Sequence, residues 1–128
     1  MRLPIQYAFS YPYRLPLTTE RLDFSKLSSL TFEQPDPVRF RNLALSFEAL
    51  ERRGNMPCIL NAANEVCVAA FLKERIGFLQ MSDIIERTMQ KVDFIKTPTY
   101  DDYVATDAMA RRVAEEMITN AKFSMLKS

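Results

Sequence analysis

The distribution of proline divides this chain of 128 residues into two unequal parts. Five of the seven prolines fall within the first 37 residues. Among them lies a run of aromatic residues, Tyr7, Phe9, Tyr11 and Tyr13. Each proline removes a backbone donor and biases its predecessor toward extended conformations, so no long helix is expected before Pro37. Residues 1–35 are therefore predicted to be extended, with one short strand at 30–33, where Leu30 and Phe32 alternate with polar neighbours.

A helical period begins at Asp36. The carboxylate of Asp36 suits a helix cap, and the fixed φ of Pro37 suits the first helical position. The apolar residues that follow at helical spacing form one stripe: Phe40, Leu43, Ala44, Phe47 and Leu50. Gly54 and Asn55 end this predicted helix, because glycine favours a helix C-terminus, and Pro57 blocks its continuation.

The stretch ILNAANEV, residues 59–66, places two amides and a carboxylate between apolar residues. We predict a second helix that starts near Asn61, whose side chain would cap the free amides. Glu65 would then lie in the first turn, where a carboxylate complements the positive end of the helix. Asn64 and Glu65 could also bond to a neighbouring helix. We interpret the stretch as structural, because no second carboxylate lies nearby; a catalytic site is the alternative.

The remaining residues predict two longer helices and a short helical turn. The first spans 81–92 and has a narrow seam of Met81, Ile85, Thr88 and Val92. A capped turn is predicted at 99–103, with Thr99 as the cap and Asp102 at the third position. Asp107 then caps a last helix, whose stripe is Ala110, Val113, Ala114, Met117, Ile118 and Ala121.

These patterns predict a mainly α fold. The expected architecture is a four-helix bundle over 36–121, preceded by the extended segment 1–35 and followed by a tail, 122–128, that frays. The aromatic rings of the first segment need a cover, because they would otherwise form an exposed apolar patch. Either another domain or another chain supplies that cover.

Composition excludes several classes of partner and site. Seventeen basic and sixteen acidic residues leave a net charge of +1, which steers neither nucleic acid nor an anionic membrane. Two glycines cannot build a phosphate-binding loop, and the absence of histidine removes the usual neutral-pH base. Cys58 and Cys67 are expected to be free, half-buried thiols. No signal peptide or membrane span is apparent, so a cytoplasmic location is expected.

The paired carboxylates Asp101-Asp102 and Glu115-Glu116 are not expected to hold a metal. Neighbouring side chains on a helix point about 100° apart, so neither pair converges on one ion. We interpret them as solvated helix faces. Met81 and Met117 fall on predicted core stripes, so the methionines are interpreted as core fillers, with a binding groove as the alternative.

Four blocks of the sequence resemble the family of 1-deoxy-D-xylulose 5-phosphate reductoisomerases. They are MRLPIQYAFSYPYR, LDFSKLSSLTFEQPD, LNAANEVCVAAFL and DAMARRVA, in this order and at similar spacing. The resemblance extends from residue 1 to about 118, roughly the last third of that family's chain. It implies that residues 1–35 are the end of the catalytic domain plus a linker, and that 36–121 are the C-terminal helical domain.

The resemblance also implies cofactors and partners. That family uses NADPH and a divalent metal, magnesium or manganese, both held by domains upstream of this segment, and the whole enzyme is a homodimer. Here only Met1 matches a position beside the nicotinamide ring. Catalytic and metal-binding residues are expected to be absent from this chain, and Asp36, Asn61, Asn64, Glu65 and Asp107 are expected to be structural.

Two hypotheses follow for function. In the first, the chain is a bracing C-terminal portion of an NADPH- and metal-dependent reductoisomerase and is inactive alone. In the second, it is a free-standing helical interaction module that uses its aromatic N-terminal arm to engage a partner, including a second copy of itself.

Overall fold

The computed structural model describes residues 2–18, 20, 22–27 and 29–125, apart from the side chains of 121–125. The chain forms two compact units, Met1–Gln34 and Pro35–Ser128. The described residues form five α-helices: α1 (Arg2–Ser10), α2 (Arg41–Arg52), α3 (Met56–Leu72), α4 (Phe78–Lys91) and α5 (Tyr100–Met125). The prediction of a mainly α protein is confirmed.

In the first unit, the helix α1 forms within the segment that the sequence predicts to be extended. Pro4 is the third residue of α1, within the first turn, where a backbone N–H would have no partner inside the helix. A proline at this point therefore does not prevent the helix. The amide of Gln6 donates to the carbonyl oxygens of Leu15 and Pro16, at 3.3 and 3.2 Å, and holds the following loop against α1.

The strand predicted at 30–33 is not formed. These residues are described, exposed and without regular structure. A strand needs a neighbour that accepts and donates its backbone hydrogen bonds, and the described part of the chain contains no other strand.

In the second unit, α3 is the central helix and packs against α2, α4 and α5. It is apolar on more than one face and buries Met56, Ile59, Ala62, Ala63, Cys67 and Ala70. The alanines among these residues let the backbones of the neighbouring helices approach α3 closely. The predicted seam of α4 is confirmed, because Met81, Ile85, Thr88 and Val92 are all buried.

The predicted starts of α2 and α3 are wrong, and α4 begins at Phe78, three residues before its predicted start. Asp36 does not cap α2: its carboxylate accepts from the amides of Val38 and Arg39, at 2.9 Å each, and closes a turn ahead of the helix. The helix begins only at Arg41, because the backbone of Phe40 is not helical. Similarly, α3 begins at Met56, so Asn61 is its sixth residue and cannot be a cap.

The start of α3 differs because Pro57 opens the helix instead of ending the previous one. Pro57 is the second residue of α3, where the ring fits and no intrahelical donor is lost. The left-handed backbone of Arg53 and Gly54 separates α2 from α3. The turn between the two helices is therefore shorter than predicted.

The buried face of α2 also differs from the predicted stripe. Leu45 and Ala49 are buried, whereas Phe47 and Leu50 are 55% and 67% exposed. The sequence RNLALSFEALER carries apolar residues on two faces, so its periodicity does not determine which face is buried. Packing against α3 selects the face that carries Leu45 and Ala49.

The last two predicted helical segments are one helix. The cap of α5 is confirmed: the amide and hydroxyl of Thr99 donate to Asp102, and the amide of Asp102 donates to the Thr99 hydroxyl oxygen. Asp107 lies inside this helix and is not a cap. The helix reaches Met125, within the predicted tail 122–128, because no glycine or proline follows Pro98 to stop it. No helix in the described part of the chain is long and apolar enough to cross a membrane.

Candidate functional site

A cluster of polar contacts in the second unit joins α3 to α5. Arg111 of α5 donates to Glu65 of α3 at 2.6 Å and to Asp107 of α5 at 2.7 Å. The amide of Asn61 donates to the other oxygen of Glu65 at 3.3 Å. We refer to Asn61, Glu65, Asp107 and Arg111 as the α3–α5 polar cluster. Asn64 is half-buried and takes no part in these contacts.

Arg111 controls the electrostatics of this cluster. Its hydrogen bond and positive charge lower the pKa of Glu65, with a smaller contribution from Asn61. The two carboxylates raise the pKa of Arg111 in return. Glu65 thus remains ionised near neutral pH and is already paired, so it is a poor general base. Stability from this pairing is present above the ordinary glutamate pKa and is lost as pH falls through the lowered value.

The structure brings together two residues that the sequence places on separate helix starts. Glu65 and Asp107 share Arg111, which was not a predicted site residue. A sequence signal for Arg111 exists, because Asp107 and Arg111 are four residues apart and therefore adjacent on a helix surface. The contact with Glu65 spans 46 residues, and only the packing of α3 against α5 creates it.

The two cysteines are free, as predicted. Cys58 is half-buried and its thiol lies 3.7 Å from the carbonyl oxygen of Tyr103. Burial and the nearby charge of Asp107 raise its pKa. Cys67 is fully buried, not half-buried, and burial raises its pKa to about 11. Both thiols are protonated near neutral pH, which removes the thiolate that a nucleophile needs.

A second polar node, Asn55, was missed at the sequence level. Its side chain is fully buried at the junction of α2 and α3. The amide nitrogen donates to the carbonyl oxygen of Asp93 and the hydroxyl of Thr106, at 3.0 and 3.1 Å, and the amide oxygen accepts from the backbone of Ile95 at 2.9 Å. Asn55 thereby fastens the loop between α4 and α5 to the start of α3.

The described residues contain neither a grouped set of metal-ligating side chains nor a glycine-rich loop. No three or more histidine, cysteine, aspartate or glutamate side chains within the described ranges are grouped to hold an ion. The two glycines lie at helix junctions, where Gly54 has a positive φ and Gly77 precedes α4, and neither belongs to a glycine-rich loop. Met1, the predicted nicotinamide contact, lies outside the described residues.

The first unit contains an open hollow of about 800 Å³ beside α1. It is lined mainly by leucine and proline side chains, together with Tyr7, Arg14 and Glu20. The guanidinium of Arg14 lies 5.4 Å from the centre of the Tyr7 ring, and the rings of Tyr7 and Tyr11 meet edge to face. These contacts organise the aromatic segment.

Comparison with known proteins identifies relatives over most of the chain. The family model described as DXP reductoisomerase C-terminal domain matches residues 1–113. A 1-deoxy-D-xylulose 5-phosphate reductoisomerase of Bacteroides fragilis is 70% identical over 118 residues, which is 92% of this chain and 30% of that protein. The protein of the same name from Phocaeicola vulgatus is 68% identical over 120 residues, covering 94% of this chain and 31% of the relative.

A solved structure gives the same relationship. The 1-deoxy-D-xylulose 5-phosphate reductoisomerase of Zymomonas mobilis, in complex with NADPH, matches with a TM-score of 0.78 and 40% identity. The match covers 91% of this chain and 31% of that protein. This chain thus spans about 30% of the length of the relatives it matches.

Proposed function

This chain belongs to the DXP reductoisomerase C-terminal domain family, and on that premise we propose that it is the bracing C-terminal portion of a reductoisomerase. The whole enzyme would convert 1-deoxy-D-xylulose 5-phosphate to 2-C-methyl-D-erythritol 4-phosphate in non-mevalonate isoprenoid biosynthesis. NADPH would supply the hydride, and a divalent metal, magnesium or manganese, would polarise the substrate; residues upstream of this segment would hold both. We place the enzyme in the bacterial cytoplasm as a homodimer.

Within this proposal, residues 1–35 are the end of the catalytic domain plus the linker, 36–121 are the helical domain and 122–128 are the tail. The observation that carries the bracing role is the α3–α5 polar cluster. Its carboxylates are paired with Arg111, and the cluster links two helices that share one core. Exposed pairs of this kind add only modest stability, and the pairing leaves neither carboxylate of the cluster free to act as an acid or base.

The test compares the 128-residue chain with the whole enzyme. We expect titration calorimetry to show no saturable NADPH binding by the chain alone, and an assay to show no conversion of 1-deoxy-D-xylulose 5-phosphate. The whole enzyme from the same gene should bind and turn over under identical conditions. Saturable binding of NADPH by the short chain would refute the proposal.

A matched variant tests the role of the polar cluster inside the whole enzyme. Glu65→Gln keeps the shape of the side chain and removes its charge, so turnover should persist while the melting temperature falls slightly. Glu74→Gln, which makes the same change at an exposed residue between α3 and α4, outside the cluster, is the control. A collapse of turnover with an unchanged melting temperature would instead assign Glu65 to catalysis.

A free-standing interaction module is the second candidate. The exposed rings of the first unit favour it, because Phe9, Tyr13 and Phe32 are 90%, 74% and 88% exposed. The upstream reading frame separates the two candidates, since only the first requires glycine-rich dinucleotide motifs and metal-binding carboxylates there. Sedimentation of the purified chain is a second test, and a concentration-independent monomer would contradict self-association through the arm.

A further inference from the structure

The helix α2 is attached to the second unit by few buried side chains. Of its 12 residues only Leu45 and Ala49 are buried, whereas α3 buries six residues and α4 buries five. The first residue of α2, Arg41, pairs with Glu86 of α4, and both side chains are partly exposed, so this pair adds little stability. Local opening is easiest where few apolar side chains are buried. α2 is therefore less firmly attached than α3 and α4.

The backbone at the C-terminal end of α2 is strained. Arg53, which follows the helix, has a φ of 58° and a ψ of −144°. Residues with a side chain rarely adopt this combination, which is common only for glycine. The amide of Arg53 still donates to the carbonyl oxygen of Ala49 at 3.1 Å, so the helix is intact up to this residue. The strain therefore lies at the point where α2 joins the rest of the second unit.

The residues that follow Arg53 are fixed in place. The carbonyl oxygen of Gly54 accepts from the hydroxyl of Tyr103 at 3.3 Å. The backbone amide of Asn55 donates to the carbonyl oxygen of Ile95 at 3.0 Å, and the side chain of Asn55 is fully buried. These bonds tie Gly54 and Asn55 to α5 and to the loop before it. Because the residues after Arg53 are held and those before it form a helix, a rotation of α2 would be concentrated at Arg53.

We propose that α2 is a hinged helix, which opens about Arg53 as one unit while α3, α4 and α5 stay packed. Packing of Leu45 and Ala49 favours the closed position, and relief of the strained backbone at Arg53 favours the open one. α2 is also the first helix of the second unit, so the chain from the first unit enters through it. Its opening lengthens the connection between the two units by the 12 residues of this helix.

Hydrogen exchange of the 128-residue chain over a series of urea concentrations tests the opening. Once detached, a helix of 12 residues is marginal in water, so its amides exchange. The amides of residues 45–52 should exchange at least about tenfold faster than the slowest amides of α3. They should share one opening free energy, and its dependence on urea should be well below that of global unfolding, because less surface becomes exposed.

Arg53→Gly tests the position of the hinge. Glycine adopts the backbone conformation of Arg53 without strain, so the closed position is stabilised and exchange of residues 45–52 should slow by about fivefold. Glu74→Gly is the matched control, because Glu74 also has a positive φ, 55°, but follows α3, outside the junction of α2 and α3. It should change exchange in α2 by less than about twofold. Both variants replace an exposed charged residue, so both should fold.

Three results would contradict the hinge. A common free energy and urea dependence for residues 45–52 and the slowest amides of α3 would show that α2 opens only when the whole unit unfolds. Exchange that slows steadily from Arg41 toward Arg52 would show that α2 frays from its start. Unchanged exchange of α2 in Arg53→Gly, or equal slowing in Glu74→Gly, would show that the hinge does not lie at Arg53.

Discussion

At the scale of single residues, the junction of α2 and α3 depends on a glycine and a buried amide. Gly54 has a φ of 55°, and a Cβ at this position would overlap the carbonyl oxygen of Ile95. The next residue, Asn55, is bonded to the loop between α4 and α5 and to Thr106. Position 54 therefore has no room for a side chain, and position 55 needs a side chain that can hydrogen-bond to the neighbouring loop and to Thr106.

Asn55→Ala should lower the free energy of unfolding by about 1 to 3 kcal/mol, because the part-buried N–H of Ile95, the carbonyl of Asp93 and the hydroxyl of Thr106 lose their partner. Urea denaturation of the 128-residue chain measures this loss. Asn61→Ala is the control, since Asn61 is exposed and interior to α3, and should cost less than about 0.5 kcal/mol. A larger loss for Asn61→Ala than for Asn55→Ala would contradict both assignments.

At the scale of helices, a capping side chain marks a helix start only where the backbone of the following residues is also helical. Thr99 and Asp102 satisfy each other's amides, as predicted for a short capped turn, and the long helix α5 begins there and not at Asp107. The carboxylate of Asp36 also accepts two backbone hydrogen bonds, yet α2 begins only at Arg41, because the backbone of Phe40 is not helical. A capping residue thus closes one turn, and the following residues decide whether a helix continues from it.

Thr99→Ala should destabilise the chain by about 0.5 to 2 kcal/mol, the usual cost of losing an N-cap. Thermal or urea unfolding followed by circular dichroism measures it. Thr119→Ala is the matched control: Thr119 is exposed within the same helix, where alanine has the higher helix propensity, so stability should be unchanged or slightly greater. Equal destabilisation by the two substitutions would argue against the cap.

At the scale of the whole molecule, the two units differ in how much of their structure is buried. α1 buries no residue, whereas α3 contributes six residues to a continuous core. A helix of nine residues without a buried face gains little beyond its own hydrogen bonds, and such helices are marginal in water. Local opening should therefore be far easier in the first unit of the isolated chain.

Hydrogen exchange of the 128-residue chain tests this difference. Amides of α1 should exchange within about tenfold of the unprotected rate, while the slowest amides of α3 should exchange only through global unfolding. Addition of denaturant should accelerate exchange in α3 much more than in α1. Protection of α1 equal to that of α3 would mean that the first unit is stabilised to the same degree.

The helical character of most residues after Asp36, the seam of α4, the stripe of α5 from Ala110 to Ile118 and the cap at Thr99 were predictable from the sequence; Ala121 lies outside the described side chains. These features follow from interactions within about four residues, through sterics, capping and helical spacing. The four sequence blocks likewise identified the family that the comparison confirmed.

The buried face of α2, the start of α3 and the partners of Glu65 and Asn55 were not predictable from the sequence. Each of these depends on contacts with another helix or loop, as in the bonds from Asn55 to Asp93 and from Arg111 to Glu65. α2 carries apolar residues on two faces, and its neighbour α3 contacts one of them. A pattern along one segment cannot specify which of two suitable faces a partner will cover, because the free energy that distinguishes them comes from packing between segments.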